Sequence, residues 1–217
     1  MIRINHGCGP VRPEGWINTD SSINSLLQQT TAGKFIANFL TPIKYTSVNA
    51  KYMNLNKRWK PFKNESVDII YASHLLEHLS SKSTDIFFLE AQRCLKKGGV
   101  IRIVVPDLYQ HVEQYLIQYQ NYSTEASETF LYKLNLLKEY QYPKEELLSN
   151  ILGYIQGWPH QHKTMFDRLS LTFLLEKYDF KEILQSDYGE SEYIKDIKDV
   201  EGGIKGHSYS LYLEGKK

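Results

Sequence analysis

Hydrophobic and polar positions along the chain follow two alternating patterns. Short apolar runs, several of them β-branched, alternate with longer segments whose apolar residues recur at helical spacing. This alternation is typical of an α/β fold with a mostly parallel, Rossmann-like sheet and helices on both faces. The predicted strands are residues 2–5, 15–20, 51–55, 67–73, 100–107, 180–186 and 207–214. The predicted helices are residues 22–40, 76–99 and 168–178.

The end of the chain and one internal segment depart from simple alternation. The strands 180–186 and 207–214 have only a charged, glycine-containing stretch between them, which predicts an antiparallel pair at the C-terminal edge of the sheet. Residues 108–165 are tyrosine-rich and helical, with apolar residues at mixed spacing. This segment is too short to bury much surface of its own. We therefore expect a helical lid inserted in a single domain, 1–217.

Length, composition and cysteine content limit the functional classes. The chain has 217 residues, enough for one substantial core, and its formal net charge of +1 gives no reason to expect nucleic acid as a partner. Two distant cysteines form no metal-ligand spacing and fit a reducing compartment. No signal-like start and no apolar run of membrane-spanning length is present. We expect a cytoplasmic protein of undetermined oligomeric state.

A glycine-containing turn and an acid follow the first two predicted strands. The turn is HGCGP at residues 6–10, where glycines allow the backbone to approach a ligand closely. The acid is Asp20, at the position where nucleotide-binding α/β sheets place an acceptor for ribose hydroxyls. Asp20 could instead cap a helix together with Ser21 and Ser22, and the two roles are compatible. Both features would lie at the carboxyl edge of the sheet, where ligands bind.

The spacing of these features argues against a dinucleotide. The glycine turn lacks a full G-x-G-x-x-G pattern, and only eleven positions separate Gly9 from Asp20. A normal helix does not fit between the strands, so the usual pyrophosphate site at a helix N-terminus is missing. A nucleoside without phosphates loses less from that absence. The pattern therefore favours S-adenosylmethionine.

Four blocks of sequence resemble one family in the same order. The chain resembles the class I S-adenosylmethionine-dependent methyltransferases, in particular a short bacterial subgroup often associated with glycan or cell-surface biosynthesis. The resemblance covers nearly the whole chain and is more specific for fold and cofactor than for substrate. The blocks are INHGCGPVRPEGWINTD, PFKNESVDIIYASHLLEHL, EAQRCLKKGGVIRIVVPDL and HKTMFDRLSLTFLLEKYDF.

The resemblance implies roles for the first block. Gly7 and Gly9 would line the methionine part of the cofactor, and Cys8 would contribute its backbone. Asp20 would hold the ribose hydroxyls. The cofactor-binding set predicted in this block is Asn5, His6, Gly7, Cys8, Gly9 and Asp20.

The resemblance also assigns residues later in the chain. Asn54 and Leu55 fall where the family usually has an aspartate and an apolar neighbour beside adenine, and an asparagine oxygen can still accept a hydrogen bond there. Ser73 and His74 would lie at the end of the fourth strand, beneath the methyl group.

Two positions depart from the family pattern. Asn5 stands where the family has an acid two positions before the first glycine, and Val11 stands at the third glycine position. The first change removes a charge near the cofactor's amino group, and the second alters the path of the loop. A non-catalytic module that binds S-adenosylmethionine is therefore an alternative to an enzyme.

The stretch YASHLLEHL contains a second, conflicting motif. His74, Glu77 and His78 spell H-x-x-E-H, the inverted zinc-peptidase signature. That site needs both histidines on one helical turn, whereas the preceding strand is expected to run to Ser73 and to leave His74 in a turn. The interpretation we favour is a first-turn acid and a packing histidine at Glu77 and His78. We therefore predict no metal, with a zinc hydrolase as the unfavoured alternative.

Three residues are candidates for catalysis of methyl transfer. His74 is expected where cofactor and acceptor meet, as a general base or as a lining residue that positions the acceptor. His162 lies in a loop that could face the acceptor or simply close over the site. Asp107 could orient the acceptor or cap the next helix. The predicted reaction is direct in-line transfer, most simply O-methylation, to a small polar or glycan-type acceptor.

Overall fold

The computed structural model describes residues 1–9, 11–21, 23–27, 29–33, 50–136, 161–201 and 209–217. Its strands are β1 (Arg3–His6), β2 (Ile17–Asp20), β3 (Lys51–Tyr52), β4 (Val67–Ser73), β5 (Leu95–Pro106), β6 (Lys181–Ser186) and β7 (Ser210–Lys216). Its helices are α1 (Ile23–Leu27), α2 (Ser81–Cys94), α3 (Leu108–Gln120), α4 (Ala126–Lys133), α5 (Arg168–Lys177) and α6 (Ile197–Glu201), with a 3₁₀ turn at Leu76–His78.

The seven strands form one sheet in the order β3-β2-β1-β4-β5-β7-β6. Strands β1 to β5 are parallel, whereas β7 runs antiparallel to both β5 and β6. The predicted α/β fold with an antiparallel C-terminal edge is therefore confirmed. The strand order reverses between β1 and β4, so the loops that follow these two strands leave a crevice at their carboxyl ends.

Alternate residues of the central strands pack into two separate cores. In β4, Ile70 and Ala72 face the core covered by α2 and α5, whereas Ile69 and Tyr71 face the core covered by α6. Burial of both faces explains why β4 and the part of β5 from Val100 to Pro106 are rich in apolar residues. The sheet is thereby held rigid beneath its carboxyl edge.

The predicted helix at 76–99 is wrong at both ends. The 3₁₀ turn comes first, and α2 begins only after Ser80, whose hydroxyl accepts a hydrogen bond from the backbone N–H of Ser83. The helix ends at Cys94 because Leu95 is already extended. Gly98 belongs to β5, where its backbone N–H donates to the carbonyl of Lys217 at 2.8 Å. The two glycines therefore lie in a strand that pairs with the end of the chain, whereas the sequence predicts that they end a helix.

Other predicted elements are found in part. Within the predicted helix 22–40, α1 covers Ile23–Leu27, while residues 28 and 34–49 lie outside the described residues. The strand expected at 51–55 is reduced to two residues. In the predicted lid, α3 and α4 pack together through Tyr115 and Phe130, whose ring centroids lie 5.1 Å apart. Residues 137–160 of the lid lie outside the described residues.

A buried charge network ties the antiparallel edge to the sheet. The guanidinium of Arg102 in β5 donates to Glu201 at 2.7 Å and to Glu214 at 3.1 Å, and all three side chains are buried. Both carboxylates accept further hydrogen bonds. Glu201 accepts from the Gly189 backbone N–H, and Glu214 accepts from the Ser191 hydroxyl. The network fixes β7, whose first residue, Ser210, pairs with Pro106 at the end of β5. None of the helices in the described ranges is long and apolar enough to cross a membrane.

Candidate active site

The glycine turn after β1 faces the acid at the end of β2. Gly7 and Gly9 have φ angles of 66° and 47°, a left-handed conformation that side chains disfavour. A Cβ on Gly7 would lie 3.1 Å from the Leu75 side chain, whereas a Cβ on Gly9 would meet no atom of the described residues within 4 Å. The Gly9 backbone N–H donates to the Asp20 carboxylate at 3.3 Å. The structure thus brings the turn and the acid together beside open space.

The side chain of Asn5 holds the loop that follows the turn. Its amide nitrogen donates to the carbonyl of Val11 and to Oδ1 of Asn18, both at 3.0 Å. Asn18 in turn donates to the carbonyls of Pro13 and Trp16, both at 3.2 Å. Both amide hydrogens of Asn5 are used inside the protein, where an acid could make neither bond. Asn5 therefore suits the short connection between β1 and β2, which has valine at residue 11.

Two side chains of the turn are directed into the protein. The imidazole of His6 is fully buried against Trp59, with its Nδ1 2.7 Å from the Thr19 hydroxyl. Burial lowers the pKa of His6 from 6.5 to about 3, so the ring is neutral. The thiol of Cys8 is also buried, and burial raises its pKa from 9.0 to about 11. A contact from His6 to a ligand would therefore be made by backbone atoms.

The residues expected beside adenine differ in exposure. Leu55 is buried in the core. Asn54 is half-buried, and its Oδ1 accepts a hydrogen bond from the backbone N–H of Asn56 at 2.9 Å. One lone pair of that oxygen remains for a further donor.

His74 stands at the end of β4, beside the point where the strand order reverses. It directly follows Ser73, the half-buried last residue of the strand. Its φ of 48° turns the chain out of the sheet, and its backbone N–H still donates to Val104 of β5 at 2.9 Å. The ring lies between Glu77, whose Oε1 is 3.2 Å from Nδ1, and Ser210, whose hydroxyl is 3.3 Å from Nε2. About a quarter of the side chain is exposed, so the ring lines the surface of the crevice.

The turn after His74 meets the loop that contains His162. The carbonyl of Glu77 accepts a hydrogen bond from the backbone N–H of Lys163 at 2.7 Å, and the rings of His78 and His162 pack edge to face, 4.9 Å apart. Burial lowers the pKa of His162, although the nearby Glu77 carboxylate opposes the shift. His74 lies outside the 3₁₀ turn, so the motif does not form the single helical turn of an inverted zinc peptidase.

Asp107 follows β5 and directly precedes the predicted lid. Its carboxylate accepts hydrogen bonds from the Tyr109 backbone N–H at 3.0 Å and from the Gln110 side chain at 2.9 Å. Only 6% of the residue is exposed. Asp107 thus caps α3, and any contact with an acceptor would compete with these bonds.

Comparison with known proteins agrees with this geometry. Residues 6–103 match the sequence model of a family described as a methyltransferase domain. A solved S-adenosylmethionine-dependent methyltransferase from Archaeoglobus fulgidus superimposes with a TM-score of 0.50 at 16% identity, covering 100% of this chain and 86% of that one. The chain has the fold of an S-adenosylmethionine-dependent methyltransferase. No curated protein matches the sequence.

Two further solved methyltransferases are similar at lower scores. A possible histamine N-methyltransferase from Thermotoga maritima has 17% identity and a TM-score of 0.48, covering 100% of this chain and 82% of that one. An S-adenosylmethionine-dependent methyltransferase from Methanosarcina mazei has 15% identity and a TM-score of 0.48, with coverages of 99% and 91%.

Sequence reasoning did not place two residues beside His74, namely Glu77 and Ser210. Glu77 was interpreted as an acid near a helix terminus, but its side chain is fully buried and contacts His74. The spacing of three positions between them was a usable signal. Ser210 carries no comparable signal, since its contact with His74 spans 136 residues and depends on β7 being next to β5.

Proposed function

We propose that the protein transfers a methyl group from S-adenosylmethionine to a hydroxyl of a small polar or glycan-type acceptor. The observation that carries the proposal is the contact between the Gly9 backbone and the Asp20 carboxylate, at the edge where the strand order reverses. This contact supports the proposal because one bound nucleoside would approach the glycine backbone closely and donate its ribose hydroxyls to the Asp20 carboxylate. The family match over residues 6–103 supports the same assignment.

The cofactor-binding roles follow the positions of the side chains. Asp20 accepts hydrogen bonds from the ribose hydroxyls, and the open space beside Gly9 admits the methionine part. Asn54 offers its remaining lone pair to the adenine amino group, beside Leu55. The residues around the turn contribute backbone atoms and loop shape, as the internal hydrogen bonds of Asn5 and the burial of His6 require.

Methyl transfer from S-adenosylmethionine depends more on aligning the acceptor oxygen with the methyl group than on activating the methyl group. S-adenosylmethionine supplies, when bound, an electrophilic methyl group on a sulfonium sulfur. With the cofactor bound, an acceptor oxygen would form the new C–O bond as the C–S bond breaks, and the leaving group would be the neutral thioether S-adenosylhomocysteine. The walls of the crevice, including Ser73 and His74, hold the acceptor in line. Such alignment lowers the barrier by up to about 7–11 kcal/mol.

His74 receives the proton that the acceptor hydroxyl loses. The Glu77 carboxylate lies 3.2 Å from Nδ1, so it packs against the side of the ring opposite Nε2. General-base assistance of this kind contributes roughly 10²–10⁴-fold to the rate. The Ser210 hydroxyl lies 3.3 Å from Nε2 of His74. In this proposal the acceptor hydroxyl replaces Ser210 at Nε2, and this nitrogen receives the proton.

The proposed acceptor class rests on the resemblance and on the segment above the site. Asp107 directly precedes the predicted lid, and His162 lies near its end. Tyr109, Tyr119 and Tyr132 of its described helices are more than half exposed, and their rings can stack on a sugar. A glycan hydroxyl fits that surface.

Calorimetry with S-adenosylmethionine and S-adenosylhomocysteine tests the assignment. We expect both ligands to bind the full chain and Asp20→Ala to weaken binding at least about 100-fold, since two ribose hydroxyls lose a charged acceptor. His74→Ala should bind the cofactor as the wild type does, because its proposed role concerns the acceptor. Asp199→Ala, which removes an exposed acid of α6, is the matched control.

Two results would contradict the proposal. Absence of binding at millimolar ligand would remove the cofactor. Equal affinity in Asp20→Ala and Asp199→Ala would leave the cofactor without its proposed anchor.

A further inference from the structure

A buried carboxylate lies among three histidines and is unexplained by the fold. Glu77 is 0% exposed, and neither of its side-chain oxygens receives a hydrogen bond from the described residues. His74 Nδ1 approaches Oε1 to 3.2 Å without hydrogen-bond geometry, and His78 Nε2 lies 4.0 Å from the same oxygen. A buried ionised carboxylate needs a compensating positive charge.

Two histidines next to this carboxylate have ring nitrogens suited to a metal ion. One ligand atom each from Glu77, His78 and His162 can be chosen so that all three lie within 4.8 Å of one another. His78 Nδ1 lies 3.3 Å from the carbonyl oxygen of Gln161, which leaves its Nε2 for the ion. Nδ1 of His162 is buried and has no hydrogen-bond partner among the described residues. A histidine ligand typically donates its other nitrogen to a carbonyl, as His78 does.

The backbone holds the two contributing segments together. The carbonyl of Glu77 accepts from the backbone N–H groups of Lys163 and Thr164, at 2.7 Å and 3.3 Å. These bonds join the 3₁₀ turn to the loop 161–164 across more than eighty positions of sequence. The ligand side chains are therefore brought together by main-chain contacts that need no metal to form.

We propose that Glu77, His78 and His162 bind a divalent transition-metal ion of the zinc class. Two imidazoles and one carboxylate are an established ligand set for Zn²⁺. Ligands of a tetrahedral zinc ion lie about 3.4 Å apart, so binding draws the three side chains closer than their present separation. The site goes beyond methyl transfer and differs from an inverted zinc peptidase, in which His74 and His78 would be zinc ligands and Glu77 would activate a water.

The position of the ion suggests what its remaining coordination site holds. Three protein ligands leave one tetrahedral position for water or for an oxygen of another molecule. His74, the proposed base, contacts the same carboxylate and lies at the mouth of the crevice. An acceptor carrying an oxygen can therefore occupy the open position while its hydroxyl faces His74.

Metal binding by the chelator-stripped full chain tests the proposal without an activity assay. Calorimetry with Zn²⁺ should show one equivalent bound with a Kd below about 1 μM, and Co²⁺ should give visible absorption without thiolate charge-transfer bands. His162→Ala and Glu77→Gln should each weaken Zn²⁺ binding more than about 100-fold, beyond the loss typical of outer-shell changes. His111→Gln and Glu128→Gln change a histidine and an acid elsewhere and should bind as the wild type does.

A thermal measurement separates metal binding from a loss of folding. Zn²⁺ should raise the melting temperature of the wild type and leave that of Glu77→Gln unchanged. Without metal, Glu77→Gln should melt at a temperature equal to or above that of the wild type, because the carboxylate it replaces is buried and accepts no hydrogen bond from the described residues. Absence of stoichiometric binding, or affinity unchanged in His162→Ala and Glu77→Gln, would overturn the site. Neither result depends on whether S-adenosylmethionine binds.

Discussion

The buried histidine at the end of β1 should make the fold sensitive to acid. His6 packs against Trp59 and Phe87, with ring centroids 4.3 and 6.0 Å away, and its Nε2 has no hydrogen-bond partner among the described residues. A proton added to this ring would be buried in an apolar site. Burial therefore lowers the pKa of His6 from 6.5 to about 3.

The sign and size of the effect follow from these two values. Between about pH 6.5 and pH 3 the unfolded chain binds a proton at His6 that the folded chain does not, so stability is lost as the pH falls through this range. Each pH unit well below 6.5 costs about 1.4 kcal/mol. At pH 5 the loss from this one residue is about 2 kcal/mol, a large share of a typical domain's stability.

Urea denaturation at pH 7 and pH 5 measures the loss. His6→Gln keeps a polar partner for Thr19 but does not titrate, so its stability should fall by about 2 kcal/mol less than that of the wild type over this interval. His111→Gln is the matched control, because burial lowers the pKa of this second histidine as well, but to a smaller extent. An equal fall in the wild type and in His6→Gln would refute the reasoning.

Three further predictions concern the turn, the edge of the sheet and the thiols. Gly7→Ala should destabilise the protein by about 1–2 kcal/mol, because alanine disfavours the left-handed φ of this position, and by more if Leu75 cannot move. Urea denaturation measures the loss, and an unchanged midpoint would contradict this prediction. Arg102→Met leaves two buried carboxylates without their cation and should lower the free energy of unfolding by about 3–5 kcal/mol in the same assay. Lys96→Met removes a partly exposed ion pair and should lower it by at most about 1 kcal/mol. Equal losses in the two variants would contradict the stabilising role of the buried network. Burial and a pKa of about 11 should make Cys8 react with a thiol reagent at pH 8 at least about 100-fold more slowly than in the denatured chain; comparable rates would show an accessible thiol.

The fold was largely predictable because both faces of the sheet are buried. Short apolar runs between helix-period segments reveal parallel strands, whichever residues they pair with. The start of β5 was missed since Leu95–Gly99 contains two lysines and two glycines, a typical helix ending. Its strand character comes from pairing with the end of the chain, which local sequence does not report.

The candidate site was predictable only where its residues follow strands. Asp20 and His74 could be placed because the carboxyl ends of parallel strands share one edge. The contact between Glu77 and His162 joins residues far apart in sequence and depends on how the loop before α5 returns. The side-chain directions of Asn5 and His6 were likewise not predictable, because each depends on a partner in β2 or on its neighbouring loop.

A crystal structure of the full chain with S-adenosylhomocysteine tests the central claim most directly. The ribose hydroxyls should lie within hydrogen-bonding distance of the Asp20 carboxylate, with the sulfur between the ends of β1 and β4, facing His74. A nucleoside bound elsewhere, or crystals grown at millimolar ligand with none at this edge, would contradict the proposed methyl-transfer site.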